Sequence, residues 1–145
     1  MKLRGAREAD IDALAEIAAA AYRTGFADIL EPQALEQRGG AFFAAHLRAV
    51  LGGIQVAETM GRVVGFSQVT SSHLDMLFVA PEAQQTGAGT ALLRQAEEAG
   101  LHTLECFRDN LAARAFYQRR GWRLSRGYER EFLGRLRCFV LYSKP

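Results

Sequence analysis

His73-Leu74-Asp75-Met76-Leu77-Phe78-Val79-Ala80-Pro81, continued by Glu82-Ala83-Gln84-Gln85-Thr86-Gly87-Ala88-Gly89-Thr90, is the stretch on which the reading of the chain turns. Leu74 to Val79 predicts a buried strand, Pro81 ends it, and Gly87 and Gly89 punctuate a turn. Leu92, Leu93 and Ala96 then fall at helical spacing. Strand, glycine-bearing loop and helix start therefore follow one another. Such a junction offers unpaired backbone N–H groups and the positive end of a helix dipole, a combination that binds phosphate. Glycine suits it because a Cβ would block the approach of a ligand and disfavour positive φ. By itself a Gly-x-Gly after a strand is also an ordinary tight turn. A dinucleotide fingerprint would place a third glycine where Leu92 stands, no βαβ unit surrounds the loop, and no P-loop lysine follows.

A second constellation lies downstream: Asn110, Ala113, Phe116-Tyr117 and Gly121-Trp122. Together the two stretches resemble the GNAT superfamily of acyl-CoA-dependent N-acetyltransferases, in the form of a single-domain bacterial-type member. Gln84-x-x-Gly87-x-Gly89 is similar to that family's pyrophosphate loop. Asn110 through Trp122 is similar to its second signature, Asn-x-x-Ala-x-x-Phe-Tyr-x-x-x-Gly-Phe, with Trp122 in place of the final Phe. Gln85 and Thr86 depart from the Arg or Gly of many members. The loop thus has no cation of its own, and phosphate binding is expected to lean on backbone amides.

Bulk properties agree with a globular protein. A chain of 145 residues, 49% hydrophobic and 23% charged, predicts one domain over 1–145 with an adequate core. The net charge of +2 suits an anionic ligand, and without a basic block it gives no reason to expect nucleic acid. Cys106 and Cys138 fall in expected strands without metal-ligand spacing, so buried free thiols and no metal are predicted. No apolar run reaches the roughly 20 residues of a membrane span, and no signal peptide is recognised at Met1. The expected address is the cytoplasm.

In chain order, Lys2 to Arg4 could open the sheet. Asp10 is positioned to cap a helix bearing Ile11, Leu14, Ala15, Ile17 and Ala18 on one face to about Tyr22. Tyr22 and Phe26 are expected on a turn and Pro32 in the first turn of another helix. Gly39-Gly40 should split or kink that helix, with Phe42 and Phe43 in the core. Ile54–Glu58 and Val63–Thr70 predict a hairpin about Met60-Gly61-Arg62, before the strand already described. A helix from about Thr90 to Ala99, a β-like segment from His102 to Phe107, and a helix capped by Asp109 or Asn110 follow. Trp122–Phe132 and Leu136–Tyr142 suggest a final hairpin. The order β-αα-βββ-α-β-α-ββ describes an α/β fold, a mixed and largely antiparallel central sheet flanked by helices.

The resemblance implies more. In the family the fourth and fifth strands splay apart and the pantetheine arm of acetyl-CoA, the implied cosubstrate, lies between them. Leu77, Phe78 and Val79 would then give main-chain contacts to that arm. Gln84, Gln85, Thr86, Gly87, Ala88, Gly89 and Thr90 would hold the pyrophosphate, and Asn110 would touch the arm, cap its helix, or both. Tyr117 matches the tyrosine usually assigned as proton donor to the departing sulfur, and a phenol's ordinary pKa near ~10 suits that task. Three side chains are candidates for the general base: His73, Asp75 and Glu105. An ordered water is a fourth route.

The expected activity is transfer of an acetyl group to a primary amine of a small molecule or peptide. A non-catalytic acyl-CoA-binding or regulatory domain is the alternative, and Tyr117 speaks against it because a binding module needs no proton donor at the sulfur. The acceptor wall is expected from Tyr22 to Leu30, the second helical segment and the last hairpin. Arg23, Asp28, Glu31 and Arg130 could meet a charged acceptor there or be solvated surface. The acceptor has no motif, and the protein is expected to be a monomer or homodimer.

Overall fold

The computed structural model describes residues Met1–Pro145. Strands β1 (Lys2–Gly5), β2 (Ile54–Thr59), β3 (Arg62–Thr70), β4 (His73–Val79), β5 (Thr103–Phe107), β6 (Arg123–Phe132) and β7 (Arg135–Ser143) form one sheet. Its spatial order is β1-β2-β3-β4-β5-β7-β6, antiparallel throughout except for the parallel β4–β5 pair. Helices α1 (Ile11–Gly25), α2 (Pro32–Glu36), α3 (Gly40–Ala49), α4 (Ala88–Glu98) and α5 (Leu111–Arg119) complete the fold. This is the expected mixed sheet and element order, with the second helical segment divided at Gly39-Gly40 into α2 and α3.

Alternation and helical spacing explain where the core sits. On α1, Leu14, Ala15, Ile17 and Ala18 pack with Phe43 and Leu47 of α3 and with Val56 and Phe66 of the sheet. On α4, Leu93 and Ala96 join Leu74, Leu104, Trp122 and Tyr142. Leu14, Leu47, Leu92 and Leu104 are wholly buried, and each such leucine contributes about 2 kcal/mol by leaving water. Trp122 closes the end of α5 onto α4, its indole N–H donating to Glu97 Oε2 at 2.8 Å.

Several local expectations change. The α1 helix runs to Gly25, so Tyr22 lies within it and Phe26 is its C-cap, the Phe26 N–H reaching Tyr22 O at 3.2 Å. Asp10 stands at the N-cap position but its carboxylate turns away, accepting from Arg4 Nη1 and Nη2 at 2.8 and 3.0 Å and from the Arg7 N–H at 2.7 Å. A guanidinium fork outcompetes a neutral cap. Helix α4 begins at Ala88, two residues early, with Gly87 as its N-cap. Cys106 and Cys138 are free and half-buried rather than buried.

The positions of β4 and β5 shape the site. They pair only at His73–Thr103 and Leu74–Leu104. Directly afterwards the register with β3 shifts: Val69 faces Leu74 and Gln68 faces Met76, leaving Asp75 without an opposite number. Such a bulge bends its strand and re-aims a side chain. Beyond it, β4 continues along β3 to Val79, while β5 follows β7 for its whole length. The facing edges of Asp75–Val79 and Glu105–Phe107 thereby part.

Candidate active site at the parted strands

A cavity of about 450 Å³ opens where the two strands separate. Its floor comes from β4 (Asp75, Met76, Leu77, Phe78) and β5 (Glu105, Cys106, Phe107). One wall comes from α5 and its cap, through Asn110, Ala113 and Tyr117. The rest of the lining includes Tyr22 of α1, Phe26 at its C-cap, Arg38 from the turn before α3, and Phe42 and His46 of α3, with Arg130 and Phe132 from the last hairpin. The expected acceptor wall and the expected gap therefore share one space.

Tyr117 is 7% exposed, packed edge-on to Phe116 at 5.3 Å and beside Tyr142 at 6.5 Å. Burial raises its pKa above the ordinary phenol range. The proton therefore stays on the hydroxyl throughout the neutral range. Asn110 fills its cap role, accepting from the Ala113 N–H at 3.2 Å through Oδ1 while lining the cavity. That bond uses the carbonyl oxygen and leaves the amide donors of Asn110 available.

The three candidate bases separate in space. Asp75, at the bulge, is exposed and lines the cavity, and no cation pairs with it. Glu105 also lines it, but its Oε1 receives Arg130 Nη2 at 2.5 Å. His73 lies at the end where the strands still pair, its Nδ1 2.8 Å from Thr103 Oγ1, and it is not among the residues that line the cavity. Cys106 reaches the cavity too, and burial pushes its pKa up to about 11, which keeps it a thiol.

The glycine loop leads from the β4 end of this gap. Gln84 to Gly87 are exposed, and Gln85 and Gly87 take left-handed φ of +65° and +91°. A Cβ on Gly87 would meet nothing, so glycine is needed there for its φ. At Gly89 a Cβ would sit 3.5 Å from the Phe116 ring and 3.7 Å from Val79 Cγ2, which ties the loop to both α5 and β4. Ala88 is buried beside Leu92 under the sheet, holding the start of α4 in place.

One cation reaches this loop from outside it. Arg120 lays its guanidinium 3.8 Å over the Phe116 ring and donates through Nε and Nη2 to Thr90 Oγ1 at 3.0 and 2.8 Å. A positive charge therefore stands at the N-terminal end of α4 in addition to its backbone amides. The sequence carries a signal for this, because Phe116 and Arg120 stand four apart across the last turn and C-cap of α5, a spacing that brings side chains to one face. Arg38 at the cavity carries no such signal in the sequence. It belongs to the turn between two short helices, and only the fold turns it toward the cavity.

A mixed sheet with parted β4 and β5 strands, a glycine loop opening α4, and a buried tyrosine on α5 define an acyltransferase-type scaffold. The sequence model of the Acetyltransferase (GNAT) family matches residues 11–122, and the chain belongs to that family. It is 31% identical to the uncharacterized N-acetyltransferase YhfO of Bacillus subtilis strain 168 over 144 residues, covering 88% of this chain and 93% of the relative. Among solved structures it is similar to apo YjaB of Escherichia coli, with a TM-score of 0.79 at 21% identity over 98% and 95% of the two chains. It is also similar to a phosphinothricin acetyltransferase of Sinorhizobium meliloti in complex with AcCoA, with a TM-score of 0.72 at 20% identity over 99% and 87%. At these identities the two structures speak to the fold.

Proposed function

We propose that the protein is an acetyl-CoA-dependent N-acetyltransferase acting on a primary amine of a small molecule or peptide. The observation that carries this is Tyr117, a buried and protonated phenol on the wall of the cavity where β4 and β5 part. A scaffold that only bound acyl-CoA would gain nothing from a proton donor at that place.

The residues fit the cosubstrate. Past Leu74 the β5-facing edge of β4 has no sheet partner, so Leu77 to Val79 can hydrogen-bond an amide-bearing arm as a neighbouring strand would. Gln84 to Thr90 present the α4 N-terminus, and Arg120 adds a positive charge at Thr90. Bound acetyl-CoA supplies the acetyl group already activated as a thioester.

The protein's own tasks follow from that. The amine must be neutral to attack, and the new N–C bond forms as the C–S bond breaks. Tyr117 gives its hydroxyl proton to the departing sulfur and regains one from solvent. The proton shed by the amine passes to water or to Asp75, the cavity carboxylate that no cation holds. Glu105, engaged by Arg130, positions the acceptor wall instead.

The test is CoA release and mass-detected acetyl product from a panel of amines and peptides, alongside calorimetric titration of acetyl-CoA. Turnover of at least one amine is expected. Tight acetyl-CoA binding without turnover across a broad panel would favour the non-catalytic binding domain.

A further inference from the structure

Resting on the acetyltransferase reading, we infer that the acceptor is a small amino carboxylate whose acid group docks on Arg38 while its amine lies toward Asp75. Arg38 is the observation behind this. Its guanidinium lies flat on Phe42, 3.9 Å from the ring centroid, with the Phe132 ring at 5.4 Å. It is half-buried and lines the cavity, yet no carboxylate of the protein pairs with it.

The other cavity arginine shows what satisfaction looks like. Arg130 lies 4.0 Å over Phe139 and is neutralised by Glu105 at 2.5 Å. Two arginines are thus stacked on aromatic rings beside one cavity, and only one has its anion. The Tyr22 hydroxyl lies within hydrogen-bonding reach of Arg38, but it is no anion. A stacked guanidinium loses little freedom on binding, and its fork matches a carboxylate in a bidentate grip. Partly desolvating such a group without a partner is unfavourable. An incoming carboxylate removes that cost.

Charge elsewhere in the cavity agrees. Asp75 is the cavity's unpaired carboxylate, and the bulge places it where β4 leaves β5. Among the arginines and carboxylates of the cavity the unpaired ones are therefore one positive and one negative, and an amino acid carries the complementary pair. A polyamine would bring its second ammonium against Arg38. Phe26, Phe42 and Phe132 form an apolar wall suited to a hydrocarbon side chain. The cavity of about 450 Å³ must also admit the acyl end of the cosubstrate, so the space left for the acceptor suits one small ligand.

The test compares acids with their own amides. L-phenylalanine, L-methionine and glycine, the three matching amides, and spermidine are titrated into CoA-saturated protein and followed by NMR chemical shifts. At about pH 6 the α-amino groups are all charged, so only the acid group differs. At least one acid should bind tenfold or more tightly than its amide, and spermidine should bind more weakly still. In Arg38→Gln the acid-to-amide ratio should fall close to one, and in Arg38→Lys it should lie between, since a point charge replaces the fork. Melting temperature and CoA affinity report that both variants are folded. Equal binding of acids and amides, a preference that survives Arg38→Gln, tighter spermidine binding, or no binding by any probe would each overturn the inference. Failure of the parent reading shows separately, as no acetyl-CoA binding in calorimetry or as binding without turnover of any amine, whatever the acid-to-amide ratio.

Discussion

Arg120 and Thr90, thirty residues apart, join the two motifs, the guanidinium donating to Thr90 Oγ1 through Nε at 3.0 Å and Nη2 at 2.8 Å. The contact carries a positive charge from the end of α5 to the first turn of α4. Phe116 sits beneath it and fixes its direction, with the guanidinium 3.8 Å from the ring.

Removing that charge should weaken acetyl-CoA. Arg120→Gln is expected to lower affinity about tenfold in low salt, a loss of ~1.4 kcal/mol. Raising ionic strength should narrow the gap between the two proteins, because a half-exposed charge is screened. Calorimetry at two salt concentrations checks both statements. Equal affinities at low salt would remove Arg120 from the site.

Gly87 makes a different kind of contribution. Its φ of +91° is open to glycine and strained for valine, although no atom lies within 4 Å of its would-be Cβ. Gly87→Val should therefore distort the loop and weaken acetyl-CoA at least tenfold while the core, which it does not touch, stays folded. Unchanged affinity in the folded variant would show that the loop does not grip the cosubstrate.

Tyr117→Phe separates catalysis from binding. The ring packs in the core beside Phe116, so phenylalanine keeps the contacts and removes the proton. Acetyl-CoA affinity should hold within a few-fold while turnover falls on the order of ten- to a thousandfold, the span of general acid catalysis. Because burial raises the Tyr117 pKa, the wild-type rate should show no loss from ionisation of this hydroxyl across neutral pH. Equal turnover by the two proteins would leave the hydroxyl with no catalytic part.

The last hairpin is pinned by acid-sensitive contacts. Arg137 donates to both carboxylate oxygens of Glu31 at 3.0 and 2.7 Å and to the carbonyls of Phe132 and Leu133. The Arg137 hydrogen bond holds the Glu31 pKa down to about 2, against an ordinary value of 4.5. A depressed carboxyl pKa stabilises the fold above the unfolded value and ceases to do so as pH falls through the folded one. Stability should therefore decline between about pH 4.5 and pH 2 partly on this account, and Glu31→Gln should flatten that part of the profile. Urea midpoints measured across the interval test it, and identical slopes in both proteins would refute the assignment.

The amino-acid sequence by itself determined the elements and the glycine loop. Apolar runs and glycine punctuation mark β4 and the start of α4, and the i, i+4 spacing of α1 and α4 marks their buried faces, because period and turn chemistry are local properties. Asn110 and Tyr117 were legible for a related reason, since both sit in a short contiguous motif whose spacing survives in the chain.

Tertiary structure decided how those parts are used. Asp75, Glu105 and His73 are equivalent candidates in one dimension. The bulge at Asp75 and the early end of β4–β5 pairing then leave Asp75 free in the cavity, bring Glu105 under Arg130, and set His73 against Thr103. Arg38 and Arg120 acquire their places from helices that pack across the sheet, and their directions from the rings of Phe42 and Phe116. Local periodicity specifies which face of an element turns inward. Which charged groups then meet across the gap depends on contacts between residues far apart in sequence, and only the assembled sheet fixes those.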